Sequence, residues 1–267
     1  AESGVYIYNL RTDKYVHLHN SKDDPYSLSD NAVYSLCEDR EGGIWVGSYF
    51  GGVDYYPKSY TYFEKYYPKD GDNNLHGKRV REFCEDNKGI LWIGTEDGGL
   101  NRFDPKTKTF SFFAPSSGFT NIHGLCMVGD KLWVGTFSKG LKIVDTNTGN
   151  ILKTYQKNAS PRSLIDNSIF AICRTTTGDI YLGTMFGLLR YNEQTDDFDR
   201  IEELAGRFVY DIKEDSGGNL WLATYVNGAY CYNVNEKKWK NYVHNESNKE
   251  SLPYDKVLSI FEDSHRQ

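Results

Sequence analysis

The sequence predicts an all-β fold built from repeated four-stranded antiparallel sheets. Three observations predict it: a tryptophan-anchored repeat, β-branched and aromatic runs punctuated by Gly, Asn and Asp, and the absence of sustained helical spacing. The repeat shows as CEDREGGIWVGSYFGGVDYY around Trp45, CEDNKGILWIGTEDGGLNRF around Trp92, CMVGDKLWVGTFSKGLKIV around Trp133 and KEDSGGNLWLATYVNGAYCY around Trp221. A further copy, CRTTTGDIYLGTMFGLLRY, has Tyr181 at the tryptophan position, and successive anchors lie 47, 41, 48 and 40 residues apart.

Within each unit the first strand (A) is a run such as AVYSLC at 32–37, the second (B) IWVGS at 44–48, the third (C) GLNRF at 99–103 and the fourth (D) FSFFA at 110–114. Gly129-Asp130 between two apolar runs suits a tight hairpin, and Gly98-Gly99 tolerates positive φ. A lone meander leaves an apolar face uncovered, whereas sheets stacked radially bury both faces, so the units are predicted to form blades of a β-propeller. Gly47, Gly94, Gly135 and Gly183, with Ala223 in the last full unit, fall where one blade presses on the next.

The predicted complete blades are 33–67, 80–114, 122–157, 169–202 and 208–244. They are flanked by partial blades at 1–20, matching strands C and D, and at 257–267, matching strand A alone. The whole chain, 1–267, is expected to be a single propeller segment cut from a longer array.

Composition narrows the function classes. With 31 basic against 37 acidic residues, a net charge of −6 and no basic block, the chain lacks an electrostatic footprint for nucleic acid or an anionic membrane. No apolar run is long enough for a membrane span. Cys37, Cys84, Cys126 and Cys173 occupy equivalent strand A positions in different blades and Cys231 lies on a strand C, so small buried thiols are expected instead of bridges. Asp70, Asp72 and Asn74 begin like a calcium loop, but Leu75 and Arg81 stand where it needs Gly and Glu. No metal or other cofactor and no catalytic residue is expected. Glu38-Asp39, Glu85-Asp86 and Glu214-Asp215 recur at the A-to-B hairpins, which points to capping of turn amides.

The motif E-D-x-x-G-x-[LI]-W-[IV]-G-T-x-x-G-G-L-x-x-[FY]-[DN] is met in full by Glu85-Asp86, Gly89, Leu91 to Thr95, Gly98 to Leu100 and Phe103-Asp104. It resembles the regulator-propeller repeats in the sensor region of hybrid two-component regulators, and the resemblance runs through five copies over nearly the whole chain. Lys139 for the first glycine of the pair and Tyr181 for Trp depart from the motif as ordinary repeat drift. The resemblance implies a periplasmic sensor segment that binds an oligosaccharide released from a polysaccharide. It implies a seven-bladed parent array with further propeller blades, a downstream immunoglobulin-like module and a histidine kinase in the same protein, assembled as a homodimer, with no direct membrane contact by this segment. Two alternatives stand beside it: a propeller enzyme, either polysaccharide lyase or glycosidase, and a protein-binding scaffold.

Motif residues repeat in every blade and are therefore scaffold, while a ligand site must break the symmetry. The D-to-A connections vary most, and in the meander order they share one end with the B-to-C turns. Leu28, Leu75, Leu164 and Leu252, each five residues before a strand A residue, are expected to plug that rim. The candidate ligand-binding residues at the same end are Tyr49, Phe50, Phe137, Phe186 and Tyr225 from B-to-C turns, and Arg79, Arg81, His123, Arg207 and Tyr210 around the starts of the A strands. Aromatic faces beside hydrogen-bond donors suit a sugar, and the arginines admit an acidic one.

Overall fold

The computed structural model describes residues 3–22, 24, 26–58, 65–69, 71, 73–113 and 118–265, and the chain divides into two compact units, 1–71 and 72–267. In the first unit, β1 (Val5–Asn9) and β2 (Lys14–Leu18) form a hairpin. There β3 (Val33–Glu38), β4 (Ile44–Ser48) and β5 (Val53–Tyr56) form a three-stranded antiparallel sheet. Its expected fourth strand falls on 59–64, outside the described residues.

The second unit holds four complete blades, each ordered as it runs in sequence. The first is β6 (Val80–Glu85), β7 (Leu91–Thr95), β8 (Gly99–Asp104) and β9 (Thr109–Phe113). The second is β10 (Ile122–Val128), β11 (Lys131–Thr136), β12 (Leu141–Asp145) and β13 (Ile151–Tyr155). The third is β14 (Ile169–Arg174), β15 (Ile180–Thr184), β16 (Gly187–Asn192) and β17 (Asp197–Ile201). The fourth is β18 (Val209–Glu214), β19 (Leu220–Thr224), β20 (Ala229–Asn233) and β21 (Lys238–Tyr242). A single 3-10 turn, Glu202–Leu204, is the one helical piece among the described residues. The all-β propeller predicted from the repeat is the fold observed.

Blades meet through their first strands, β10 lying against β6 and β14, and β14 against β18. The core is accordingly sandwiched between sheets: Trp92, Leu100, Ile122 and Leu132 in one layer, Trp133, Leu141, Ile169 and Leu182 in the next, and Leu188, Val209, Leu220 and Leu222 in the third. A Cβ on Gly94 would sit 2.5 Å from Ile122, and one on Gly135 2.8 Å from Ile169, so these motif glycines are contact points between blades. Leu28, Leu75 and Leu164 are buried as expected of rim plugs, while Leu252 is half-buried.

Of the partial blade expected at 257–267, the described residues 257–265 form no ladder. Val257 N–H donates instead to the Thr224 carbonyl at 3.0 Å, and Ile260 N–H to the Asp211 carboxylate at 3.0 Å. All five cysteines are free thiols, but only Cys231 is buried; Cys84, Cys126 and Cys173 are half-buried and Cys37 is exposed. Burial pushes the Cys84, Cys126 and Cys173 thiols up to about 11, which keeps them protonated and unreactive at neutral pH.

The acidic pairs do cap turns. Asp39, Asp86 and Asp215 each accept two backbone amides of the A-to-B hairpin, and with the other oxygen the indole N–H of Trp45, Trp92 or Trp221. In the β10–β11 hairpin the turn is one residue shorter, and Gly129 at φ +63° closes it without that carboxylate.

Candidate functional site

Each strand A carries a register shift at its second residue, between Val33 and Ser35, Val80 and Glu82, Ile122 and Gly124, Ile169 and Ala171, and Val209 and Asp211. The residue inside each shift, Tyr34, Arg81, His123, Phe170 or Tyr210, is an extra one that has no ladder partner. A β-bulge of this kind re-aims its side chain away from the sheet. The architecture is the same in every blade and the chemistry is different in every blade.

In the second unit these side chains gather. The His123 and Phe170 rings lie 4.6 Å apart and Phe170 and Tyr210 5.5 Å apart, while the Arg81 guanidinium lies 5.0 Å from the centre of the Tyr210 ring. B-to-C turn residues extend the cluster: Phe137 is 5.8 Å from His123, and Tyr225 6.2 Å from Tyr210. Phe208 packs between Phe170 and Tyr225 at 4.5 and 5.3 Å, and the Lys256 ammonium lies 4.4 Å above Tyr225.

Glu96 supplies the counter-charge, 3.7 Å from Arg79, 3.5 Å from Arg81 Nε and 4.0 Å from His123 Nε2. Among the described residues, the buried side-chain atoms Arg81 Nε and His123 Nδ1 lack hydrogen-bond partners. His123 Nε2 shares a 2.8 Å hydrogen bond with Asn121 Oδ1, which makes Nε2 the protonated nitrogen and leaves Nδ1 an acceptor. Burial, aided by the Arg81 charge, holds the His123 imidazole down to about 4, so it is neutral at physiological pH. Both atoms are closed to solvent and Arg81 Nε stands beside the Glu96 carboxylate, so what the site offers a ligand is its aromatic faces and the Arg79 guanidinium.

Six of the ten candidates, Arg79, Arg81, His123, Phe137, Tyr210 and Tyr225, fall in this cluster. Arg207 is exposed, its backbone N–H bonded to the Leu204 carbonyl at 3.0 Å. Phe186 is exposed and borders a separate cleft of about 400 Å³ with Arg200 and Gly206. Tyr49 and Phe50 belong to the first unit, where Tyr49 lies 5.0 Å from the bulged Tyr34 and 4.3 Å from Phe50. Sequence reasoning passed over Phe170, Phe208, Glu96 and Lys256. Phe170 could have been found, since it follows the strand's first apolar residue as Arg81, His123 and Tyr210 do. Among the described residues no group of three or more His, Cys, Asp or Glu side chains could hold a metal ion.

The geometry defines a β-propeller whose blades share one scaffold and differ at the bulge. Residues 27–50, 74–97 and 203–226 match the family described as two component regulator propeller. No curated protein matches significantly. Among solved structures, PorZ, a surface component of the type-IX secretion system of Porphyromonas gingivalis, is similar at TM-score 0.57 and 18% identity over 86% of this chain and 36% of its own. An extracellular domain from B. thetaiotaomicron, assigned to a hybrid two component system, is similar at TM-score 0.49 and 22% identity, over 88% of this chain and 38% of its own. A virginiamycin B lyase from Staphylococcus aureus is similar at TM-score 0.49 and 14% identity, over 89% of this chain and 76% of its own. At 18% identity the likeness to PorZ carries the fold alone, and the chain spans little more than a third of the first two. No helix among the described residues is long and apolar enough to cross a membrane.

Proposed function

We propose that the chain is the ligand-recognising part of an extracytoplasmic two-component sensor, which binds an oligosaccharide without turning it over and relays occupancy to a histidine kinase elsewhere in the protein. The observation that carries this reading is the cluster of bulged residues, where equivalent positions hold Arg81, His123, Phe170 and Tyr210. Sugar C–H faces stack on Phe137, Tyr210 and Tyr225, and a hydroxyl or carboxylate meets Arg79 and Arg81. Remaining blades, an immunoglobulin-like module and a second copy of the receptor are the partners of this reading. The signal requires that ligand favour one of two domain or dimer arrangements.

An enzyme reading would draw on Glu82, one residue past the bulge, whose carboxyl burial pushes up. Asp211, at the equivalent position in β18, is already occupied: it accepts from Ile212 N–H, Ser259 Oγ and Ile260 N–H. That commitment argues against a working carboxylate pair.

Calorimetric titration of the intact sensor region with an oligosaccharide panel, followed by chromatography for products, tests the proposal. The expected result is saturable binding of a panel member that Arg81→Gln and Tyr210→Ala each weaken, with no cleavage. Product formation would establish the enzyme alternative, and failure of every glycan to bind would establish the scaffold.

A further inference from the structure

Trp45, Trp92 and Trp221 donate their indole N–H groups to the turn carboxylate six residues earlier, at 3.1, 3.0 and 2.8 Å. Trp133 holds the same register in β11, paired with Cys126 as Trp92 is with Cys84, and is 5% exposed. The turn before it lacks the carboxylate, and its N–H has no acceptor among the described residues. It borders a cleft of about 940 Å³ between the second and third complete blades, at the end formed by A-to-B and C-to-D turns, opposite the rim cluster.

The walls of this cleft are already ordered. Asp196, at φ +57° in the β16–β17 turn, accepts from Tyr191 Oη at 2.8 Å, and from Tyr155 Oη and Lys153 Nζ of the neighbouring blade. The Lys153 ammonium holds its carboxyl down to about 2, so the group is an anion throughout the physiological range. Arg190 grips Asp179 through Nε at 3.1 Å and a terminal nitrogen at 3.0 Å. The Tyr191 ring stands at 78° to Trp133, centroids 5.0 Å apart, which fixes the indole.

We propose that this cleft is a second ligand site, separate from the rim, for an uncharged polyhydroxylated molecule: a neutral oligosaccharide segment longer than one sugar. Its lining carries four basic and five acidic side chains, so no net field selects an ion. Adjacent acid and base groups offer acceptor and donor side by side, which is what neighbouring hydroxyls require. The Trp133 N–H supplies a donor at the cleft wall that no protein acceptor has taken up, and a ligand hydroxyl can replace the water it meets there. The volume lies at the upper end of ordinary ligand pockets.

The test uses the intact chain labelled with 15N at tryptophan, which gives five indole resonances. Trp133→Phe identifies one of them and removes the N–H while keeping a ring in the core. Maltotriose, xylotriose and galactotriose serve as neutral probes, with trigalacturonic acid as the charged comparison. At least one neutral probe is expected to move the Trp133 signal saturably while the other four stay in place. By calorimetry Trp133→Phe should weaken that probe roughly two- to tenfold, and Arg190→Gln, at a half-exposed side chain, about tenfold or more. The proposal is overturned if no neutral probe moves the Trp133 signal at about 20 mM. Undiminished binding to both variants, or preferred binding of trigalacturonic acid at this signal, overturns it as well.

Discussion

Trp92 and Trp133 occupy the same place in adjacent blades and live in different surroundings. Trp92 is fully buried and its indole is capped by Asp86 at 3.0 Å; Trp133 is nearly as buried, but its turn is one residue shorter and its N–H faces a cleft. The difference teaches where a repeat protein stores its individuality: in the small departures that leave a scaffold group unsatisfied, more than in the motif itself. The turn-end cleft is such a departure, and at the other end of the same four blades the bulge cluster varies only the side chain on a shared architecture.

Substitutions can sharpen this contrast. Trp92→Ala should cost the most, about 3–5 kcal/mol, since it empties a large volume between the first and second complete blades. Urea unfolding of the purified chain measures it. Asp86→Ala comes next, at about 2–3 kcal/mol, because it strands two turn amides and a buried indole together. Asp130→Ala in the shortened turn should leave the midpoint nearly unchanged, and equal losses for the two would erase the distinction drawn here.

A pH effect of similar kind marks the rim. The folded chain holds His123 down to about 4, against about 6.5 when unfolded, so the unfolded state binds the extra proton between those values. Stability is therefore full above about pH 6.5 and declines as pH falls toward 4, by on the order of 2 kcal/mol. Thermal unfolding at pH 7 and pH 5 should show the loss, and His123→Gln should remove that part of it. Among the substitutions expected to destabilise, Gly183→Ala should cost the least, about 1–2 kcal/mol, as its Cβ would lie 2.9 Å from Val209 of the next blade. Denaturant midpoints for Gly183→Ala and for Gly52→Ser, at a positive-φ turn with open space around it, separate crowding from backbone strain.

The fold was legible because its determinants repeat: the period, the motif glycines and the turn residues each occur several times, and every copy strengthens the inference. Strand boundaries for IWVGS at 44–48 and the Gly129 hairpin needed nothing more than local chemistry. The site was only half legible. Arg81, His123 and Tyr210 attract notice as polar or amphipathic groups, whereas Phe170 looks like one more core residue until the register shift shows where it points. Glu96 stands four residues after Trp92, as Tyr49, Phe137 and Tyr225 stand after their own anchors, but it is not aromatic; Lys256 reaches the cluster from a distant connection that no spacing rule links to it. The missing carboxylate before Trp133 was visible in CMVGDKLW, but the cleft also needs the β16–β17 turn of another blade, which only three dimensions bring there.

The supernumerary residue in every inner strand has one more consequence. Since Arg81, His123, Phe170 and Tyr210 pair with nothing across the ladder, exchanging any of them leaves the cross-strand hydrogen bonds of its sheet intact. Taste can thus be rewritten one spoke at a time, like tumblers in a lock whose barrel never needs recasting.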